Sequence, residues 1–155
     1  MSFTDELKAF AAARGLTMTS GGTTEAFVLA GGERGRQVTM SQGTLLHPRG
    51  GALLHFRLCF EPFPSTPSWM VTPQGATRWD GNVPSAVAPS EVPHWSRIDE
   101  LLTAFGAEVK AHWQLKLGEQ NRLFLEALAR ANPRAWELAW QVLDELWCGA
   151  QSSEG

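Results

Sequence analysis

The chain has 155 residues, 43% of them apolar and 19% charged, with a formal charge of −3 at neutral pH. Those proportions exclude a disordered chain and a membrane protein, and predict one domain able to bury a sizeable core. Residues 1–75 hold six Lys/Arg against five Asp/Glu and residues 76–155 seven against eleven, so the acidity sits in the second half and argues against simple wrapping of nucleic acid.

Ser2 with Asp5 has the form of a capping box, and Leu7, Phe10 and Ala11 follow at helical spacing, predicting a helix from about residue 3 to residue 14 with Gly15 just past its end. Ser20–Thr24 reads as loop. Thr24–Ala30 is a β-compatible run, Gly31–Gly35 a turn, and Arg36–Gln42 a second run, together a hairpin. Thr44–Gly51, with Pro48, Gly50 and Gly51, reads as loop. Ala52–Glu61 is the clearest strand: Leu54, Phe56, Leu58 and Phe60 alternate with His55, Arg57, Cys59 and Glu61, so the apolar set faces a core and the polar set faces outward. Trp69–Thr72 and Ala76–Trp79 flank Pro73-Gln74-Gly75 as a smaller hairpin.

Asp80–His94 contains Gly81, Pro84, Pro89 and Pro93 and reads as a linker and candidate domain boundary. Beyond it, Ile98, Leu102, Phe105, Val109 and Trp113 form a stripe predicting one helix, about Arg97 to Lys116, whose Gly106 implies close approach of another backbone. Glu119–Ala131 reads as a second helix with Arg122, Glu126 and Arg130 as a charged stripe. Asn132-Pro133 starts a third, Pro133–Trp147, ended by Gly149 and apolar enough to be central to the core or covered by a partner. The expected architecture is α+β: an N-terminal helix, an antiparallel sheet of about three to five strands, and three C-terminal helices. It forms a single domain over 1–149, with a β-rich region at 1–79, a linker at 80–95 and a helical region at 96–149, followed by a flexible tail at 150–155. That element order is shared in outline by small chaperone, inhibitor and immunity-type folds, which licenses no function.

Cys59 and Cys148 make no disulfide framework, Asp5 and Glu6 stand where a secretory leader needs basic residues, and no apolar run approaches the roughly 20 residues of a membrane helix. A reduced, cytoplasmic setting is expected, with no membrane partner. His47, His55, His94, His112 and the two cysteines show no zinc-like spacing, so no metal and no cofactor are expected. The glycine-rich stretches lack the Lys-Ser/Thr of a phosphate loop.

Three functional readings follow. The favoured one is a non-enzymatic protein–protein interaction module, an adaptor, inhibitor or chaperone-like protein that binds a protein partner or itself as a homodimer. It rests on seven Trp in a chain without Tyr, with Trp69, Trp79, Trp95 and Arg78 as candidate partner-binding residues. The second is nucleic-acid binding through the arginines and tryptophans of the β-rich half, Arg34, Arg36, Arg49, Arg57 and Arg78 with Trp69 and Trp79. The third is a small enzyme built on the polar strand face His55, Arg57, Cys59 and Glu61. His55 and Cys59 are about 13 Å apart along such a strand, so they form no dyad with each other, and no catalytic set is assigned.

Overall fold

The computed structural model describes residues 2–23, 26–46, 49–64 and 67–153. Helix α1 (Phe3–Ala13) opens where expected, with the Ser2 hydroxyl accepting a hydrogen bond from the Asp5 N–H at 3.2 Å. It closes in a Schellman turn: Gly15 sits at φ +69°, and the N–H of Leu16 bonds back to the carbonyl of Ala11 at 2.9 Å. β1 (Thr17–Gly21), unforeseen in the sequence, then leads to β2 (Phe27–Glu33), β3 (Arg36–Leu46) and β4 (Ala52–Glu61).

Gly31 and Gly32 lie inside β2 rather than in a turn. A Cβ at Gly31 would stand 2.7 Å from the carbonyl oxygen of Gly15, so the glycine admits the α1–β1 connection against the strand. The turn itself is Arg34-Gly35, both at positive φ, the two-residue geometry that matches strand twist. β3 and β4 pair from Gln37↔Glu61 to Leu46↔Ala52, so much of the stretch expected as loop is strand; His47 and Pro48 lie outside the described residues.

β5 (Ser68–Thr72) and β6 (Gly75–Asp80) form the smaller hairpin. The expected linker 80–95 carries β7 (Val83–Val87), a 3₁₀ turn at Pro89–Glu91 and the start of α2 (Trp95–Val109). The chain then yields β8 (Trp113–Leu117), a 3₁₀ turn at Glu119–Asn121, β9 (Leu123–Ala127) and α3 (Pro133–Ser153). The sheet is therefore nine-stranded and antiparallel, in the order β1-β2-β3-β4-β9-β8-β5-β6-β7, and there are three helices in all among the described residues. The sheet exceeds the three to five strands expected, and two of the expected helices fail. The helix Arg97–Lys116 stops at Val109, because Lys110 turns left-handed at φ +53°, and its last residues become β8. The helix Glu119–Ala131 is a turn plus β9, a strand held by hydrogen bonds to β4 on one side and β8 on the other. β8 and β9 thus join strands from either side of the expected boundary into one sheet.

All three helices pack on one face. Phe3 of α1 meets Phe27 of β2, Phe105 of α2 meets Phe56 of β4, and Trp140 of α3 stands edge-on to Phe60 with centroids 4.9 Å apart. The even-numbered face of β4 is the covered one: Phe56, Leu58 and Phe60 are fully buried, each contributing about 2–3 kcal/mol by leaving water. α3 is central to this core, with Ala135, Trp136, Ala139, Val142 and Leu143 sealed. It runs past Gly149 through Ser153, where a tail was expected; a Cβ at Gly149 would collide with the His94 imidazole. The β9–α3 junction is pinned by side chains: Gln42 Oε1 accepts from the Ala131 N–H at 2.8 Å, and Trp136 Nε1 donates to the Ala131 carbonyl at 2.9 Å. Among the described residues no helix is long and apolar enough to cross a membrane.

Both sheet edges are blunted. β1 is short and its pairing with β2 shifts between Met18 and Ser20. On β7, Asp80 and Val83 flank a two-residue turn, so the next pair, Trp79↔Pro84, directs the proline nitrogen away from β6. The outer rim thereby lacks one of its donors.

Candidate functional site on the uncovered sheet face

Alternation places the odd-numbered residues of β4 on the face opposite the helices, and among the described residues no helix packs on that face. Across β4, β9 and β8 the register Arg57↔Glu126↔Gln114 forms one row and Cys59↔Phe124↔Lys116 the next. Glu126 is the hub. Its Oε2 accepts from His55 Nε2 at 2.9 Å, Arg57 Nη2 at 2.9 Å and Arg57 Nε at 3.2 Å. Burial alone would raise the Glu126 carboxyl, but the hydrogen bonds and charges of His55 and Arg57 overcome it and hold the group down at about 2. This trio floors a half-open cleft of about 300 Å³ walled by Trp113, Ala127 and Leu128 and rimmed by His112 and Gln114.

Beside it, Phe124 is only 2% exposed although it points away from the helices. Three cations shield it: Arg57 at 4.6 Å, Lys116 at 5.6 Å and Arg122 at 5.9 Å from the ring centroid. Cys59, next to Phe124, is 7% exposed, and burial pushes its thiol up to about 11, with Glu61 adding to the shift and Arg122 and Arg57 opposing it.

The polar strand face His55, Arg57, Cys59 and Glu61 thus shares one surface, but only His55 and Arg57 converge, on Glu126. Sequence reasoning missed Glu126 because it was assigned to a helical stripe; the alternation Leu123, Leu125, Ala127 against Phe124, Glu126 was the available signal. The candidate partner residues separate. Trp95 begins α2 and packs partly buried against the core. Trp69 is also packed on the core, with Arg78 5.3 Å from its ring and ion-paired to Asp80. Trp79 is 37% exposed, and its pairing with Ser68 sets it on the face opposite Trp69. It borders a second cleft with Met70 and Lys116. Trp113, Trp136 and Trp147 are buried and Trp140 is partly so, which assigns most of the tryptophan surplus to the interior.

Chemically, a carboxylate held near 2 makes a poor proton acceptor or donor at neutral pH, and a buried thiol near 11 makes a poor nucleophile. Among the described residues no three His, Cys, Asp or Glu side chains group to hold a metal ion. The face presents fixed ion pairs, a shielded aromatic ring and exposed apolar side chains. The fold and this face define the chain as an α+β protein with a nine-stranded antiparallel sheet covered on one side. No family model, no curated protein and no solved structure matches it.

Proposed function

We propose that the chain is a protein-interaction module, adaptor- or chaperone-like, whose contact surface is the uncovered sheet face. One observation carries the reading. Among the described residues the exposed large apolar side chains are Leu53 (41%), Trp79 (37%), Val83 (63%) and Leu128 (45%); strand alternation sets Leu53 and Trp79 on the uncovered face and Val83 on the other, and Leu128 lines the cleft beside His55 and Glu126. Nine strands about 4.8 Å apart span about 38 Å, a breadth suited to the roughly 800 Å² that each partner commits to a stable interface. Sharing one face that no helix covers, these exposed apolar side chains support reading that face as a contact surface. The arginines that would serve nucleic acid are dispersed: Arg36 points to the helix side and pairs with Asp144, Arg78 lies beside Trp69, and Arg57 is held by Glu126. A reduced, cytoplasmic setting accords with Cys59 and Cys148 not being joined in a disulfide.

The test is cross-linking in native lysate with quantitative mass spectrometry, comparing wild type with Leu128→Asp, Trp79→Ala and, on the other face, Val83→Asp. Species captured by wild type and by the Val83 variant should vanish from the other two. Equal capture by all four chains would overturn the proposal.

A further inference from the structure

The centre of the uncovered face has a charge pattern with a consequence for what binds it. In β4 and β9, Arg57 lies opposite Glu126 and Cys59 opposite Phe124. Continuing that register one step sets Glu61 opposite Arg122, and both act on the Cys59 thiol, as adjacency requires. The four charges form a checkerboard: Glu61 beside Arg122 at one end, Arg57 beside Glu126 at the other, with Cys59 and Phe124 between them. The next cation, Lys116, is balanced by Glu119 at 3.1 Å, so the charged set Arg57, Lys116, Arg122, Glu61, Glu119 and Glu126 sums to zero. A strongly acidic or basic partner would meet like charge over half of this pattern.

A checkerboard is self-complementary. We propose that the face is occupied by a second copy of this chain, related by a two-fold axis that lies in the interface and runs along the strands between β4 and β9. The inference rests on reading the uncovered face as a protein-contact surface. That axis exchanges the β4 and β9 columns, so Glu61 of one copy faces Arg122 of the second copy, and Arg57 faces the second copy's Glu126. By symmetry each opposition occurs twice, as an isologous interface requires. The same operation sets Cys59 against the second copy's Phe124 and Lys116 against its Thr39, which pairs with Cys59 on β3. An in-plane axis perpendicular to the strands also matches the four central charges, but it sets Lys116 against Lys116 and is disfavoured. Facing sheets stand about 10 Å apart, a gap that Arg and Glu side chains bridge from both sides.

The experiment is light scattering on the full chain at concentrations up to roughly 100 μM, because interfaces of this size begin at micromolar affinity. Wild type should have the mass of a dimer. Glu61→Arg and Arg122→Glu should each weaken the dimer by about 100-fold or more, since each places like charges in apposition twice. An equimolar mixture of those two variants should recover a dimer, since every opposition between them is again of unlike charge. Circular dichroism establishes that both variants are folded. Thr39→Glu should tighten the dimer and Thr39→Lys loosen it, which keeps the test decisive should a charge reversal misfold. A monomeric wild type, single variants that dimerise like wild type, or a mixture that stays monomeric would each overturn the proposal. If wild type is monomeric while Leu128→Asp still abolishes capture of another protein, the self-association falls and the contact-surface reading stands.

Discussion

Gly106 of α2 lies against the indole of Trp113 on β8: a Cβ at position 106 would stand 2.8 Å from Trp113 Nε1. The glycine that the sequence marks as a point of close approach admits a buried side chain, not another backbone. Gly106→Ala should gain about 1 kcal/mol in helix propensity and lose more through overpacking of a ring that cannot swing away. A net loss of roughly 1–2 kcal/mol is expected from urea unfolding. Adding Trp113→Leu should recover some of that loss in a double-mutant cycle, because the two residues share one contact.

The Glu126 carboxyl sits at about 2 in the folded chain against an ordinary 4.5. A folded-state value below the unfolded one contributes stability that is fully present above about 4.5 and is lost as the pH falls through that window toward 2. The contribution is about 3 kcal/mol at most. Denaturant unfolding at pH 7, 4.5 and 2.5 should show wild type losing its advantage over Glu126→Gln across that range. A constant difference between the two proteins would contradict the ion-pair hub.

Cys59 and Cys148 should differ sharply toward thiol reagents. Cys59 is buried with its thiol near 11, whereas Cys148 is exposed on α3. At pH 8 only about one Cys59 in a thousand is thiolate. Maleimide labelling followed by mass spectrometry should modify Cys148 first and Cys59 only on unfolding. Rapid labelling of Cys59 in the native protein would contradict its burial and favour the enzyme reading.

Gln42 is buried on the helix side of β3, and its Oε1 accepts the Ala131 N–H at 2.8 Å. Gln42→Leu strands that donor without water, a loss of about 1–3 kcal/mol. Hydrogen exchange should show the Ala131 amide losing protection ahead of the β3–β4 ladder. Unchanged exchange at Ala131 would contradict a pinned junction.

The legible stretches of the sequence were those where local pattern and tertiary demand agree. From Leu54 to Glu61 apolar and polar positions alternate, and the stretch is β4; Asn132-Pro133 carries a start signal, and α3 begins there, with Asn132 Oδ1 accepting from the Ala135 N–H. β8 and β9 were illegible because the two disagree. Leu123–Ala127 is composed of good helix formers, yet the gap between β4 and β8 supplies hydrogen bonds and burial on both flanks that outweigh propensity. Trp113 falls four residues after Val109, which prolongs a helical stripe across a real break, and Lys110 ends α2 left-handed without the glycine that normally announces it. Losing β9 also lost Glu126, so the partner of His55 and Arg57 was invisible, whereas the outward direction of those two was plain from alternation alone.

Pro84 gives the outer rim of β7 one amide fewer to offer a neighbouring strand, and β1 ends the opposite rim in an irregular stub. Edge-to-edge pairing between molecules is thereby disfavoured at both rims. A Pro84→Val chain, with that missing proton restored, is the one in which ribbon-like polymers should first appear, and growth of thioflavin fluorescence in that variant alone would reveal them.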